Sequence, residues 1–65
     1  MKITVNGDSH EVSGTTLDAA LIELGYGEAK VATAVNESFV PAASRAATTL
    51  QDGDRLEIVA PRQGG

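Results

Sequence analysis

With 65 residues and no cysteine, the chain has room for one domain and lacks disulfides, thiolate metal sites and a thiol nucleophile. A net charge of −4 with only five basic residues leaves no basic face for neutralising phosphates, which argues against nucleic acid as a partner. Hydrophobic residues make up 42%, yet Phe39 and Tyr26 are the only aromatics, so any core must be aliphatic. No apolar run approaches the length of a membrane span and none has signal-peptide form, so no membrane association and a cytoplasmic location are expected.

Residues Met1 to Val5 alternate, with Met1, Ile3 and Val5 on one face and Lys2 and Thr4 on the other, the period of a half-buried strand. Asn6-Gly7 follows, a hairpin signal whose type I′ turn needs positive φ at both positions. Ser9 to Ser13 reads as a weak returning strand at a sheet edge, since only Val12 is clearly apolar. Gly14 breaks it. Thr15-Thr16-Leu17-Asp18 has capping-box spacing with Asp in place of Glu. Leu17, Ala20, Leu21 and Leu24 then form the stripe of a helix about ten residues long, with Ile22 beside it as a widening position. Gly25 stands where a left-handed residue ends a helix.

Beyond a polar loop, Val31, Thr33 and Val35 alternate with Ala32 and Ala34. Asn36-Glu37-Ser38 reads as a turn and Phe39-Val40 as a short strand closed by Pro41. Ala42 to Thr49 carries little pattern beyond a helical turn near Ser44 to Ala47. Leu50 returns to the core, Gln51-Asp52-Gly53-Asp54 turns, and Arg55 to Ala60 forms the last strand with Leu56 and Ile58 inward and Val59 outward. The order implies an α+β domain over residues 1–60, a mixed sheet of four to five strands with one main helix on one face, the β-grasp (ubiquitin-like) arrangement. The first and last long strands fall side by side in its middle. Residues 61–65 form a tail that Pro61 separates from the sheet.

Few side chains suggest chemistry. His10 is the only histidine and reads as an edge residue. Asp52 and Asp54 flank a glycine, and two carboxylates there read as turn formers before a cation site, so no metal ligands are assigned. Phe39 reads first as core; on the open sheet face, with Val59, it would instead form an apolar docking patch near the tail, with Arg62 helping to orient that tail. Gly64-Gly65 reads either as a frayed end or as a carboxylate at the tip of a slender approach.

The chain resembles the ThiS family, the small sulfur carrier proteins of thiamine biosynthesis, almost end to end. The resemblance rests on Met1-Lys2-Ile3-Thr4-Val5-Asn6-Gly7, the helix after Thr15-Thr16-Leu17, Val35-Asn36 with Val40-Pro41, and above all Leu50-Gln51-Asp52-Gly53-Asp54-Arg55-Leu56-Glu57-Ile58 followed by Gly64-Gly65. The chain departs from the family pattern at Ala42, where a basic residue is common, and at Arg45, near which an aromatic is common. The resemblance implies a carrier that is not itself an enzyme and holds no cofactor. Gly65 would be adenylated by a ubiquitin-activating-like adenylyltransferase of ThiF type, using ATP and Mg²⁺, and converted to a thiocarboxylate by a persulfide sulfur donor. A thiazole synthase of ThiG type would receive the sulfur. Gly64 would let the tail thread into these partners. A carrier for molybdopterin synthesis and a ubiquitin-like protein modifier or binding module remain open alternatives.

Overall fold

The first strand finds its partners at both ends of the chain. In a computed structural model that describes residues 1–27 and 29–60, β1 (Lys2–Val5) pairs antiparallel with β2 (Asp8–Glu11) and parallel with β5 (Arg55–Val59). β3 (Ala32–Val35) pairs antiparallel with β5 on its other edge and with β4 (Ser38–Val40). The sheet order is β2-β1-β5-β3-β4, which puts β5 in the centre and one hairpin on each side. This is the five-stranded form of the expected mixed sheet. Both hairpins close with two-residue turns of positive φ: Asn6 at 51° with Gly7 at 91°, and Asn36 at 50° with Glu37 at 73°.

The helix α1 (Leu17–Glu23) covers one face, and Leu17, Ala20 and Leu21 are buried against Ile3, Val5, Leu56 and Ile58. Each fully buried aliphatic side chain is worth about 1.5–3 kcal/mol, which drives a seven-residue helix too short to persist alone. Val12, Val40 and Leu50 complete the aliphatic core. Ile22 does not widen the stripe; it is 67% exposed, on the side of α1 away from the core.

The helix begins differently from the capping box read in the sequence. Its N-cap is Thr16, one residue later than that motif requires, and no side chain caps it. Two otherwise orphaned donors are met in other ways: Leu17 N–H donates to Thr48 O (2.9 Å), and Ala19 N–H donates to Asp18 Oδ1 (2.8 Å). The Thr16–Thr49 bridge and Leu50 N–H to Thr15 O (2.8 Å) tie this end of α1 to the segment entering β5. The helix ends as a full Schellman motif, with Tyr26 N–H on Leu21 O (2.8 Å), Gly25 N–H on Ile22 O (3.1 Å), and Gly25 at φ 96°.

β2 ends at Glu11, short of the expected Ser13, so Gly14 does not end a strand; its constraint comes from α1. A Cβ there would stand 2.7 Å from Ala19 Cβ and 3.2 Å from the Ala19 carbonyl carbon, so the chain passes α1 at a separation only glycine permits. Gly14→Ala is expected to destabilise the domain by about 1–3 kcal/mol, the usual cost of overpacking, seen as a lower denaturation midpoint at unchanged slope. An unchanged midpoint would show that α1 yields without penalty.

Candidate functional site

The central strand β5 is the last element among the described residues, and residues 61–65, expected from the sequence to form a tail, follow it in the chain. Its inward side chains, Leu56 and Ile58, are buried; Arg55, Glu57 and Val59 point to the outer face. In the antiparallel register Ala34 sits opposite both Glu57 and Phe39, and Ala32 sits opposite Val59. Thr33 and Val40 therefore face the core, while Ala32, Ala34 and Phe39 share the outer face with Val59.

Phe39 is consequently not a core residue. It is 69% exposed and Val59 is 63% exposed. The reason is register: Val40, the next residue of a three-residue strand, takes the inward position before Pro41. Phe39 and Val59 lie two strands and two residues apart, roughly 10 Å across the sheet and about 7 Å along it. Ala32 and Ala34 form a low floor between them. The result is a shallow diagonal apolar strip beside the exit end of β5. The entry end is polar, where Arg55 Nη1 meets Glu37 Oε2 at 3.7 Å in solvent. Such an exposed pair contributes little to stability.

The tail residues singled out by the sequence, Arg62, Gly64 and Gly65, lie outside the described residues. So do the tail boundary at Pro61 and the 61–65 segment as a whole.

The aspartates of the 51–54 turn act as turn formers. Asp52 Oδ1 accepts from Lys2 N–H (2.7 Å), Asp54 Oδ2 from Gln51 N–H (2.8 Å) and Asp54 Oδ1 from Asn36 Nδ2 (3.0 Å). Gly53, at φ 91°, donates to Lys2 O (2.7 Å), so this turn docks onto the start of β1. His10 is exposed on the edge strand β2, opposite Ile3.

Arg45 is the residue that sequence reading missed. It lies in a 3-10 helix (Ala42–Ala47), which contains the helical turn expected near Ser44 to Ala47 and starts two residues earlier. Its Nε donates to Thr33 Oγ1 (3.1 Å) and its Nη2 donates to Val31 O. Thr33 is only 1% exposed, and its hydroxyl also donates to Val40 O (2.9 Å). Arg45 thus braces β3 and the residue that enters it, adding a donor to the buried Thr33 hydroxyl and one to the Val31 carbonyl. A lone arginine among alanines was the available signal. The cleft beside it, between α1 and the 3-10 helix, holds about 210 Å³, below the range of small-molecule sites, roughly 300–1,000 Å³. No helix among the described residues is long and apolar enough to cross a membrane.

Residues 3–65 match the model of the ThiS family. The chain is 44% identical to a thiazole synthase of Paramagnetospirillum magneticum, across 100% of its own length and 20% of that protein. It is 40% identical to a thiazole synthase of Magnetococcus marinus, across 91% of its length and 18% of that protein. The chain thus spans about a fifth of the length of these curated relatives. Its fold is similar to the crystal structure of a thiamine biosynthesis protein, ThiS, from Geobacter metallireducens, with a TM-score of 0.84, 30% identity and full coverage of both chains.

Proposed function

The chain belongs to the ThiS family, and from that premise we propose that it is a sulfur carrier of thiamine biosynthesis whose Gly65 carboxyl is its working group. The observation that carries this reading is the family match running through Gly65, on a structure whose central strand leads into the tail. Residues 1–60 serve as the recognition handle and residues 61–65 as the tail. The handle contributes no catalytic groups; the chemistry belongs to the partners.

A carboxylate resists nucleophilic attack because resonance and negative charge both oppose it, so it needs a better leaving group. A ThiF-type adenylyltransferase supplies one: a Gly65 carboxylate oxygen attacks the α-phosphorus of Mg²⁺-bound ATP, and pyrophosphate leaves. The terminal sulfur of a persulfide then attacks the acyl carbon and AMP leaves. A thiol cleaves the resulting sulfur–sulfur bond, becoming half of a disulfide, and the carrier departs as a thiocarboxylate. Gly64 and Gly65 present no Cβ to hinder either attack. The strip of Phe39 and Val59 docks the handle, and Arg62 orients the tail. The two relatives called thiazole synthase favour a thiazole destination over molybdopterin, with a ThiG-type enzyme as receiver.

The test is intact-mass analysis after incubation with a ThiF-type adenylyltransferase, ATP, Mg²⁺ and a persulfide donor. The expected product is heavier by the exchange of one oxygen for sulfur, localised to Gly65 by fragmentation. Absence of both acyl-adenylate and thiocarboxylate would reject the carrier reading, and isopeptide adducts to lysines of other proteins would replace it with a modifier.

A further inference from the structure

The parallel pairing of β1 with β5 ends in an unusual way. Thr4 N–H donates to Asp54 O (3.0 Å) and Asn6 N–H donates to Leu56 O (2.9 Å). The next rung runs the other way, from Ile58 N–H on β5, which finds no main-chain carbonyl on β1 because that chain has entered the Asn6-Gly7 turn. Ile58 N–H donates instead to Asn6 Oδ1 (2.8 Å), and Asn6 Nδ2 donates to Ile58 O (3.1 Å). The carboxamide therefore stands in for one more peptide group of β1. On the opposite edge β5 stays paired with β3 through Val59. Ile58 thus has both its main-chain groups bonded on the β1 side, and among the described residues the Asn6 carboxamide makes both bonds.

A second asparagine offers an internal comparison. Asn36 occupies the same turn position in the other hairpin, also at left-handed φ, and its Oδ1 accepts from Arg55 N–H (2.9 Å). Because β3 runs antiparallel to β5, this clamp holds the entry of the central strand. The two side chains do similar structural work at opposite ends of one strand, and only Asn6 is at the end that leads to the tail.

We propose that Asn6 is a positioning residue for the carrier reaction: its carboxamide fixes the direction in which the chain leaves β5, and so where Gly65 is delivered when the handle is docked. This rests on the carrier reading above. Displacing reacting atoms by about 1 Å can cost on the order of 100-fold in rate. A loosened strand end should therefore lower turnover more than recognition, since Phe39 and Val59 remain in place.

The experiment compares Asn6→Gly, Asn6→Asp and Asn36→Gly with the unaltered protein. Glycine keeps both left-handed turns and removes only the carboxamide. Aspartate keeps the acceptor for Ile58 N–H and loses the donor to Ile58 O. ATP–pyrophosphate exchange by a ThiF-type adenylyltransferase gives kcat and the KM for the carrier; amide hydrogen exchange reports on Ile58. Asn6→Gly is expected to lower kcat about tenfold or more at KM within about twofold, and to expose the Ile58 amide to exchange. Asn6→Asp should fall between it and the unaltered protein. Asn36→Gly should keep both constants while losing comparable thermal stability. An unchanged kcat in Asn6→Gly, or an equal loss in Asn36→Gly, overturns the proposal. If the unaltered protein is not adenylated, the carrier reading fails instead, and an Ile58 amide still protected in Asn6→Gly overturns the clamp independently.

Discussion

Deleting Gly65 is expected to abolish thiocarboxylate formation while leaving thermal unfolding unchanged. The truncated chain still ends in a carboxylate, now on Gly64, so the loss does not come from missing chemistry. It comes from reach. One residue spans about 3.5 Å of extended chain. Attack on the α-phosphorus of ATP requires the reacting oxygen within about 3–3.5 Å, and misplacement by about 1 Å already costs on the order of 100-fold. A carrier held by its handle cannot restore a whole residue of reach without giving up docking contacts. The core, by contrast, is complete by Ile58, with Leu17, Leu50 and Leu56 buried and β5 paired on both sides. Mass spectrometry of the truncated product and a melting curve together check both halves. Sulfur transfer at the unaltered rate would remove Gly65 from its role, and a lowered melting temperature would show that tail and handle are not separable.

The backbone architecture was readable because its determinants are local. The turn at Asn6-Gly7 and the one read at Asn36-Glu37-Ser38, whose Ser38 proves to be the first residue of β4, set both hairpins; the period-two alternation of β1, β3 and β5 set their inner faces, and Gly25 set the helix end. What escaped depends on distant contacts. The start of α1 is fixed by Thr48 and Thr49, some thirty residues away, so a local capping motif named the wrong N-cap. Gly14 is constrained by its approach to Ala19, which no strand pattern reveals. Arg45 looks like a solvent residue in its own stretch and becomes a brace only when β3 lies beneath it. Asn6 was read as a turn former, and its second role toward Ile58, fifty-two residues on, exists only once the ends of the chain meet. For the site, the alternation of β5 already placed Val59 outward, and the exposure of Phe39 became visible only through the sheet register. The roles of Arg62, Gly64 and Gly65 are proposals: those of the glycines rest on the family relationship and that of Arg62 on its place in the sequence.

Replacing Phe39 with threonine is expected to weaken binding to the adenylyltransferase about 30-fold, the equivalent of about 2 kcal/mol for loss of an aromatic hot spot. Threonine keeps the strand preference, so the change removes the ring and little else. An aromatic side chain in the core of the sheet would be expensive to lose; at 69% exposure Phe39 contributes little to folding, and stability should change by no more than about 0.5 kcal/mol. Phe39 lies opposite Ala34, on the same face as Val59 and near the end of β5, so a partner that covers it is expected also to meet the residues that follow β5. Ile22 provides the control. It is equally exposed, at 67%, but lies on α1, across the sheet from the strip. Ile22→Gln keeps helix propensity and should leave affinity unchanged. Titration calorimetry of the three proteins with the adenylyltransferase separates the possibilities. Equal losses in both variants would mean that exposed apolar area alone drives association, and no loss at Phe39 would move the docking surface off the open face. A loss at Phe39 alone would tie recognition to the open face of the sheet, and on the proposed function one binding event would then both hold the handle and aim Gly65.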